Sequence, residues 1–189
     1  NRRRLIDESS LITIMDPPLE TVFKMVELGR ERERAVLWDP GVRCSLGVER
    51  LERGLALIQY LVVNEVEVGN LAGTTDSSKA ITRLLQINES LRVVVKLGSE
   101  GCLMASADGT IRIPGVPLSS FGMRVVNTVG CGDAFLGVLS ASLVSGFGVS
   151  EALMRANLAG AFKATRLETR GSPTRRELEE FSRKVRQLS

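Results

Sequence analysis

The chain has 189 residues, enough for one domain with a sizeable core, and its 43% hydrophobic and 4% aromatic content is that of a soluble globular protein. Its 25 basic and 22 acidic residues leave a formal charge of only +3 spread along the chain, which argues against a surface built to hold a polyanion. Three scattered cysteines (Cys44, Cys102, Cys131) without a CxxC pair, and no histidine, argue against a disulfide framework or structural zinc and leave acid–base chemistry to carboxylates, lysine, cysteine or tyrosine.

In chain order, the basic run Arg2–Arg4 lacks interleaved aromatics and reads as a solvated end. No apolar run reaches the roughly 18 residues of a membrane span and the N-terminus has no signal-like apolar region, so the chain reads as cytoplasmic. "SLITIM" (10–15) predicts a strand stopped by Asp16-Pro17-Pro18. Val22, Met25, Val26 and Gly29 repeat at helical spacing from Leu19 to about Arg34. "AVLWDPG" (35–41) predicts a buried strand closed by a Pro-Gly turn, "GVERLERGLALIQ" (47–59) a helix, and "YLVVN" (60–64) a second strand. The next run, 65–73, reads as a short helix or turn, and 77–88 as a helix capped by Ser77 or Ser78.

"LRVVVKLG" (91–98) is the continuous apolar run of a strand buried on both faces. "GCLMAS", Asp108-Gly109 and "TIRIPG" predict a β-hairpin, because Asp-Gly supplies the backbone conformation such turns need. The apolar run "RVV" (124–126) leads into "NTVGCGDAF" (127–135), and a helix runs from about Asp133 to Gly146. Ser150 is the expected cap of another helix reaching about Arg166, and Thr174 with Glu177 forms a capping box for the last one, Arg175–Leu188. Repeated β–α alternation argues for a single α/β domain over 1–189, a mostly parallel sheet with helices on both faces in three layers.

In such sheets the ligand crevice lies beyond the carboxyl ends of the strands. Asp39, Asn64, the Lys96-Leu97-Gly98 run and "NTVGCGDAF" all stand at such ends. Gly130 and Gly132 uncover backbone N–H groups just before a helix start, and together with the helix dipole these suit an anion such as phosphate. Asp133 admits two readings: a cap bonded to backbone donors, which is the commoner use of such a residue, or a general base for an incoming hydroxyl. Cys131 reads first as a small apolar residue.

"NTVGCGDAFLG" resembles the Asp-Thr-x-Gly-Ala-Gly-Asp signature of the ribokinase-like (PfkB) carbohydrate kinase family. Three further stretches resemble that family in the same order: "AVLWDPG", "YLVVNEVEVGNLAG" with Asn64 and Glu67, and "VVVKLGSEGCLM" with Gly98 and Gly101. The resemblance implies a ribokinase-like, Rossmann-like fold and an ATP-dependent kinase of a sugar, nucleoside or related alcohol. It implies Asp133 as base, Gly130, Cys131 and Gly132 as anion hole, and Glu67 with Asn64 organising Mg²⁺ through water. Lys96, Gly98 and Gly101 would meet the nucleotide, and Asn157 would lie on the helix flanking adenine. Without the resemblance, Lys96 reads as a snorkelling strand end, and Glu67 and Asn157 as polar helix-surface residues.

Two departures qualify these expectations. Asn127 replaces the signature's first aspartate, which puts the monovalent-cation site of relatives in doubt. The chain opens just before a strand that falls midway through the family pattern, so the N-terminal strands and lid, with most of the acceptor pocket, are expected outside these residues. The expected partners are a small-molecule sugar or nucleoside, with neither nucleic acid nor membrane and a homodimer to be tested. The alternative to a kinase is a nucleotide-binding module without catalysis.

Overall fold

Runs of valine, leucine and isoleucine bounded by turn residues form the strands, and the amphipathic runs between them form the helices. The computed structural model describes residues 2–187, and side chains from Arg4. In order, its elements are α1 (Arg2–Glu8), β1 (Leu11–Met15), α2 (Leu19–Glu31), β2 (Ala35–Asp39), α3 (Val48–Leu55), β3 (Tyr60–Asn64) and α4 (Glu65–Ala72). They continue with α5 (Ser77–Ile87), β4 (Arg92–Lys96), β5 (Gly101–Ser106), β6 (Gly109–Pro114), α6 (Cys131–Val144), α7 (Val149–Ala164) and α8 (Arg175–Arg186). None of the described helices is long and apolar enough to cross a membrane.

The six strands form one sheet in the order β1-β2-β3-β4-β5-β6. The pairs β1–β2, β2–β3 and β3–β4 are parallel. The connection 107–108 between β5 and β6 is too short for anything but an antiparallel hairpin. The class is therefore α/β with a mostly parallel sheet, as the alternation predicts. The middle residues of β2, β3 and β4 (Val36–Trp38, Leu61–Val63 and Val93–Val95) are fully buried, which explains why these strands are continuously apolar rather than alternating.

The chain divides into two compact units: Asn1–Lys96 with Leu103–Ile111, and Leu97–Cys102 with Arg112–Ser189. In the first unit α2 buries Val22, Val26 and Gly29. A Cβ on Gly29 would come within 2.6 Å of the Val36 side chain, so this helix lies close on β2. Gly54 has the same use against Trp38, the chain's single tryptophan, at 2.8 Å. In the second unit Ala134, Leu158, Ala159, Leu178 and Phe181 form a core, with Phe181 edge-on to Phe121 and Phe162 at ring distances of 5.8 and 5.4 Å.

Several local expectations are corrected. Asp76, not Ser77 or Ser78, caps α5, accepting from the amides of Ser78 at 3.0 Å and Lys79 at 3.1 Å. The aspartate stands one residue earlier and its carboxylate competes better for those donors. Ser150 does not cap α7; Gly148 precedes that helix with no side-chain cap. Residues 124–126 form no strand, and Val125 and Val126 are exposed, Val126 donating its amide to the Ala164 carbonyl at 2.7 Å. The helix after the glycine turn begins at Cys131 rather than near Asp133. The short α1 was not anticipated, and residues 41–46 form a 3-10 turn. The capping box of α8 is present, with Thr174 Oγ1 and the Glu177 carboxylate meeting each other's backbone amides at 3.3 and 2.8 Å. Leu188, the expected end of that helix, lies outside the described residues, as do the side chains of Arg2 and Arg3.

Candidate functional site

Parallel pairing brings the C-terminal ends of β2, β3 and β4 side by side in the first unit. Asn64 stands in register with Lys96, and the Lys96 ammonium reaches Asp39 at 2.8 Å. That pair is mostly buried, its side chains 17% and 12% exposed, and the other Asp39 oxygen accepts the Gly41 amide at 3.0 Å. Pairing between Lys96 and Asp39 makes two charged side chains tolerable at the half-dry C-terminal end of the central strands. Lys96 is thus neither a free phosphate ligand nor a side chain that snorkels into solvent.

Asn64 and Glu67 form a reciprocal capping box at the start of α4. Asn64 Oδ1 accepts the Glu67 amide at 2.8 Å and Glu67 Oε2 accepts the Asn64 amide at 2.7 Å. Glu67 Oε1 carries no hydrogen bond or ion pair among the described residues. No group of three or more His, Cys, Asp or Glu there is placed to cage a metal. Cys44 lies by the same groups: burial first, then the charges of Glu67 and Asp39, push its thiol up to about 12 against the opposing Lys96. It is a packing residue, not a nucleophile.

The second unit holds the glycine turn. Gly130 occupies the N-cap position of α6 at φ 86°, and a Cβ there would overlap the Thr169 carbonyl and come within 3.4 Å of Lys163 Cε. The Cys131 amide donates to the Thr128 carbonyl at 3.1 Å. Gly132 and Asp133 follow in the first helical turn, where amides have no partner within the helix. Of the three residues expected to form an anion hole, Cys131 therefore has its donor engaged inside the turn. Its thiol is half-buried and raised by that burial, with Lys163 opposing.

Asp133 is the third residue of α6, exposed, and it makes no cap hydrogen bond. Gly130 caps the helix instead, so the carboxylate is uncommitted among the described residues. Gly98 has φ 59° with open space around its Cβ direction, whereas a Cβ on Gly101 (φ 97°) would overlap the Ile113 carbonyl. Asn157 is 8% exposed and donates to the Pro114 carbonyl at 2.9 Å, so it is a buried tether of the C-terminal end of β6 and not a surface group.

Sequence reasoning passed over two residues here. Gly115 lies so close to the Ser99 carbonyl that no side chain fits, a requirement set by a distant segment and invisible locally. Lys163 is fully buried, its ammonium donating to the carbonyls of Asn127 at 3.0 Å and Arg166 at 3.4 Å. The available signal was its position on the stripe Ala152, Ala156, Ala159, Lys163, the buried face of α7.

Residues 16–175 match the model of the pfkB family carbohydrate kinases. The chain is 28% identical over 167 residues to a deoxyribokinase of Salmonella typhi, an alignment covering 86% of this chain and 52% of that protein. It superposes on Arabidopsis thaliana ribokinase complexed with ribose and ATP at a TM-score of 0.85 and 21% identity, over 95% of this chain and 58% of the other, which shows the shared fold. A nucleoside kinase of Burkholderia thailandensis in complex with inosine is 26% identical at a TM-score of 0.78, over 94% and 59%. The chain spans about half the length of the curated relatives it matches.

Proposed function

Because the chain belongs to the pfkB family of carbohydrate kinases, we propose that it supplies the nucleotide-binding and transfer portion of an ATP-dependent phosphotransferase acting on a hydroxyl of a sugar, nucleoside or related alcohol. The observation that carries this reading is the uncommitted carboxylate of Asp133 in the first turn of α6, three residues after a glycine that no other residue can replace without strain. In the reaction Asp133 takes the proton of the acceptor hydroxyl. The oxygen attacks the γ-phosphorus in line, and the bond to the departing ADP breaks.

The uncovered amides of Gly130, Gly132 and Asp133, with the positive end of α6, face the charge that builds on the transferring group. Gly98 and Gly101 allow backbone approach to the nucleotide, and Asn157 holds the end of β6 beside the base. Lys96 meets a nucleotide phosphate by exchanging Asp39 for it, so the pair holds the lysine oriented before the nucleotide arrives. Glu67, through its unbonded Oε1, and Asn64 fit a magnesium ion held mainly by water and phosphate, since the ion takes one or two carboxylates rather than a protein cage. That ion supplies neutralisation of phosphate charge when bound.

Replacing Asp133 by Asn in the whole gene product tests the reading. It removes the base while keeping shape, so kcat falls by about 10² to 10⁴ and ADP affinity stays within about twofold. Transfer surviving within about tenfold of wild type sinks the base assignment. Nucleotide binding with no product from a panel of sugars and nucleosides leaves a binding module in place of the kinase.

A further inference from the structure

Lys163 is the most unusual side chain of the second unit, because a fully buried ammonium there is held by carbonyls alone. Burying a charge is costly unless it is paired or richly hydrogen-bonded. Lys163 nevertheless sits in the last turn of α7, where the helix carbonyl end favours a cation. The approach of α7 to the glycine turn is built: a Cβ on Gly160, one turn earlier, would lie 3.4 Å from the Cys131 carbonyl.

The ammonium's two partners are the residues that open and back the turn. Asn127 O takes one bond, and the Asn127 side chain ties down the same segment, donating to the Leu167 carbonyl at 2.7 Å and accepting the Val129 amide at 3.0 Å. Arg166 O takes the other bond, from the loop after α7 that also presents the Thr169 carbonyl against Gly130. Backbone carbonyls converging on one positive charge are the contact set that a small monovalent cation would use. Here the charge is covalently part of the chain.

Resting on the kinase reading above, we infer that Lys163 is a built-in cation that positions the 127–133 turn and adds fixed positive potential beneath its anion site, so that this turn is ordered without a bound monovalent ion. Lys163 is a positioning residue: it touches the turn, not the phosphate. Asn127 fits this role, because its neutral amide donates to the Leu167 carbonyl and so ties the turn to the segment behind it, a bond that a carboxylate cannot make.

The test uses the 189-residue chain and its Lys163→Ala and Lys163→Met variants, followed by amide hydrogen exchange and by calorimetry with ADP. In wild type, exchange of the 127–133 amides and ADP affinity stay within about twofold when sodium is replaced by potassium or ammonium at equal ionic strength, because the site is filled. In Lys163→Ala those amides exchange at least tenfold faster and ADP binds at least tenfold more weakly. Ammonium chloride restores both, and tetramethylammonium chloride, too large for the vacated space, does not. In Lys163→Met, whose apolar chain fills the space without charge, the turn stays loosened and ammonium has no effect.

Wild-type turn order or affinity that depends on potassium overturns the inference, as does an alanine variant whose turn is loosened but not restored by ammonium. If the alanine variant fails to fold, the methionine variant decides: a turn as protected as wild type overturns the inference, and a loosened one supports it. The exchange arm needs no nucleotide. A wild type that binds no ADP while ammonium rescues the exchange defeats the kinase reading and leaves the Lys163 inference standing.

Discussion

Gly130 is held at φ 86° with the Thr169 carbonyl where a side chain would begin, so conformation and space demand glycine independently. Gly130→Ala is expected to cost about 1–3 kcal/mol of stability through the strained backbone, read by chemical denaturation. It should also displace the amides of the turn. A change below about 0.5 kcal/mol would mean that the turn relaxes freely and is no rigid cradle. Asp133 shows the opposite relation between residue and fold. Its carboxylate does no structural work in the turn, so a substitution there should leave stability nearly untouched while, under the proposed kinase reading, it lowers kcat. Cys44 and Cys102, pushed up to about 12 chiefly by burial, are core residues that sequence position could not distinguish from reactive thiols.

Helix α8 depends on its N-terminal capping box and on the Arg166 guanidinium, which also meets the Glu177 carboxylate. Hydrogen bonds from the Thr174 amide and hydroxyl, then from Arg166, hold the Glu177 carboxyl down from 4.5 to about 2. Its folded value is depressed, so its contribution to stability is present above about pH 4.5 and is lost as pH falls through about 2. Glu177→Gln should therefore flatten the acid limb of stability between those values while changing little of the pH dependence above pH 5. Equal acid slopes for wild type and variant would show that the α8 terminus does not titrate with folding. Asp76 at α5 and Gly148 at α7 show how loosely a cap is set by composition: neighbouring Ser, Asp and Gly residues compete, and local backbone geometry decides among them.

At the scale of the molecule, a chain that binds nucleotide in its folded state gains stability by mass action. ADP at one hundred times its Kd should add about 2.7 kcal/mol, raising Tm by roughly 5–10 °C for a chain of this size. Fluorescence of buried Trp38 follows the first unit during that melt. No shift at saturating ADP would refute nucleotide binding by this chain. Membership of the pfkB carbohydrate kinases fixes the chemistry to be tested, and the coverage of about half of each curated relative makes acceptor choice a question for the whole gene product.

The sequence by itself determined the six strands, while adding a strand end before residue 127 that does not form, and it determined the order in which helices separate them and the four collinear motifs that place Asp39, Asn64, Lys96 and the 127–133 turn at chain positions characteristic of the family. It could do so because strand burial and helix amphipathicity are written in residue spacing, and a glycine turn in residue type. Tertiary structure alone decided which of those groups remain free. Lys96 is neutralised by an aspartate 57 residues away, Asn64 and Glu67 cap their own helix, Cys131 spends its amide inside the turn, and Asp133 stays uncommitted. It also placed Lys163 beneath the turn, because the sequence marks only that a lysine falls on a buried helical stripe, while the carbonyls that receive its charge come from residues 127 and 166.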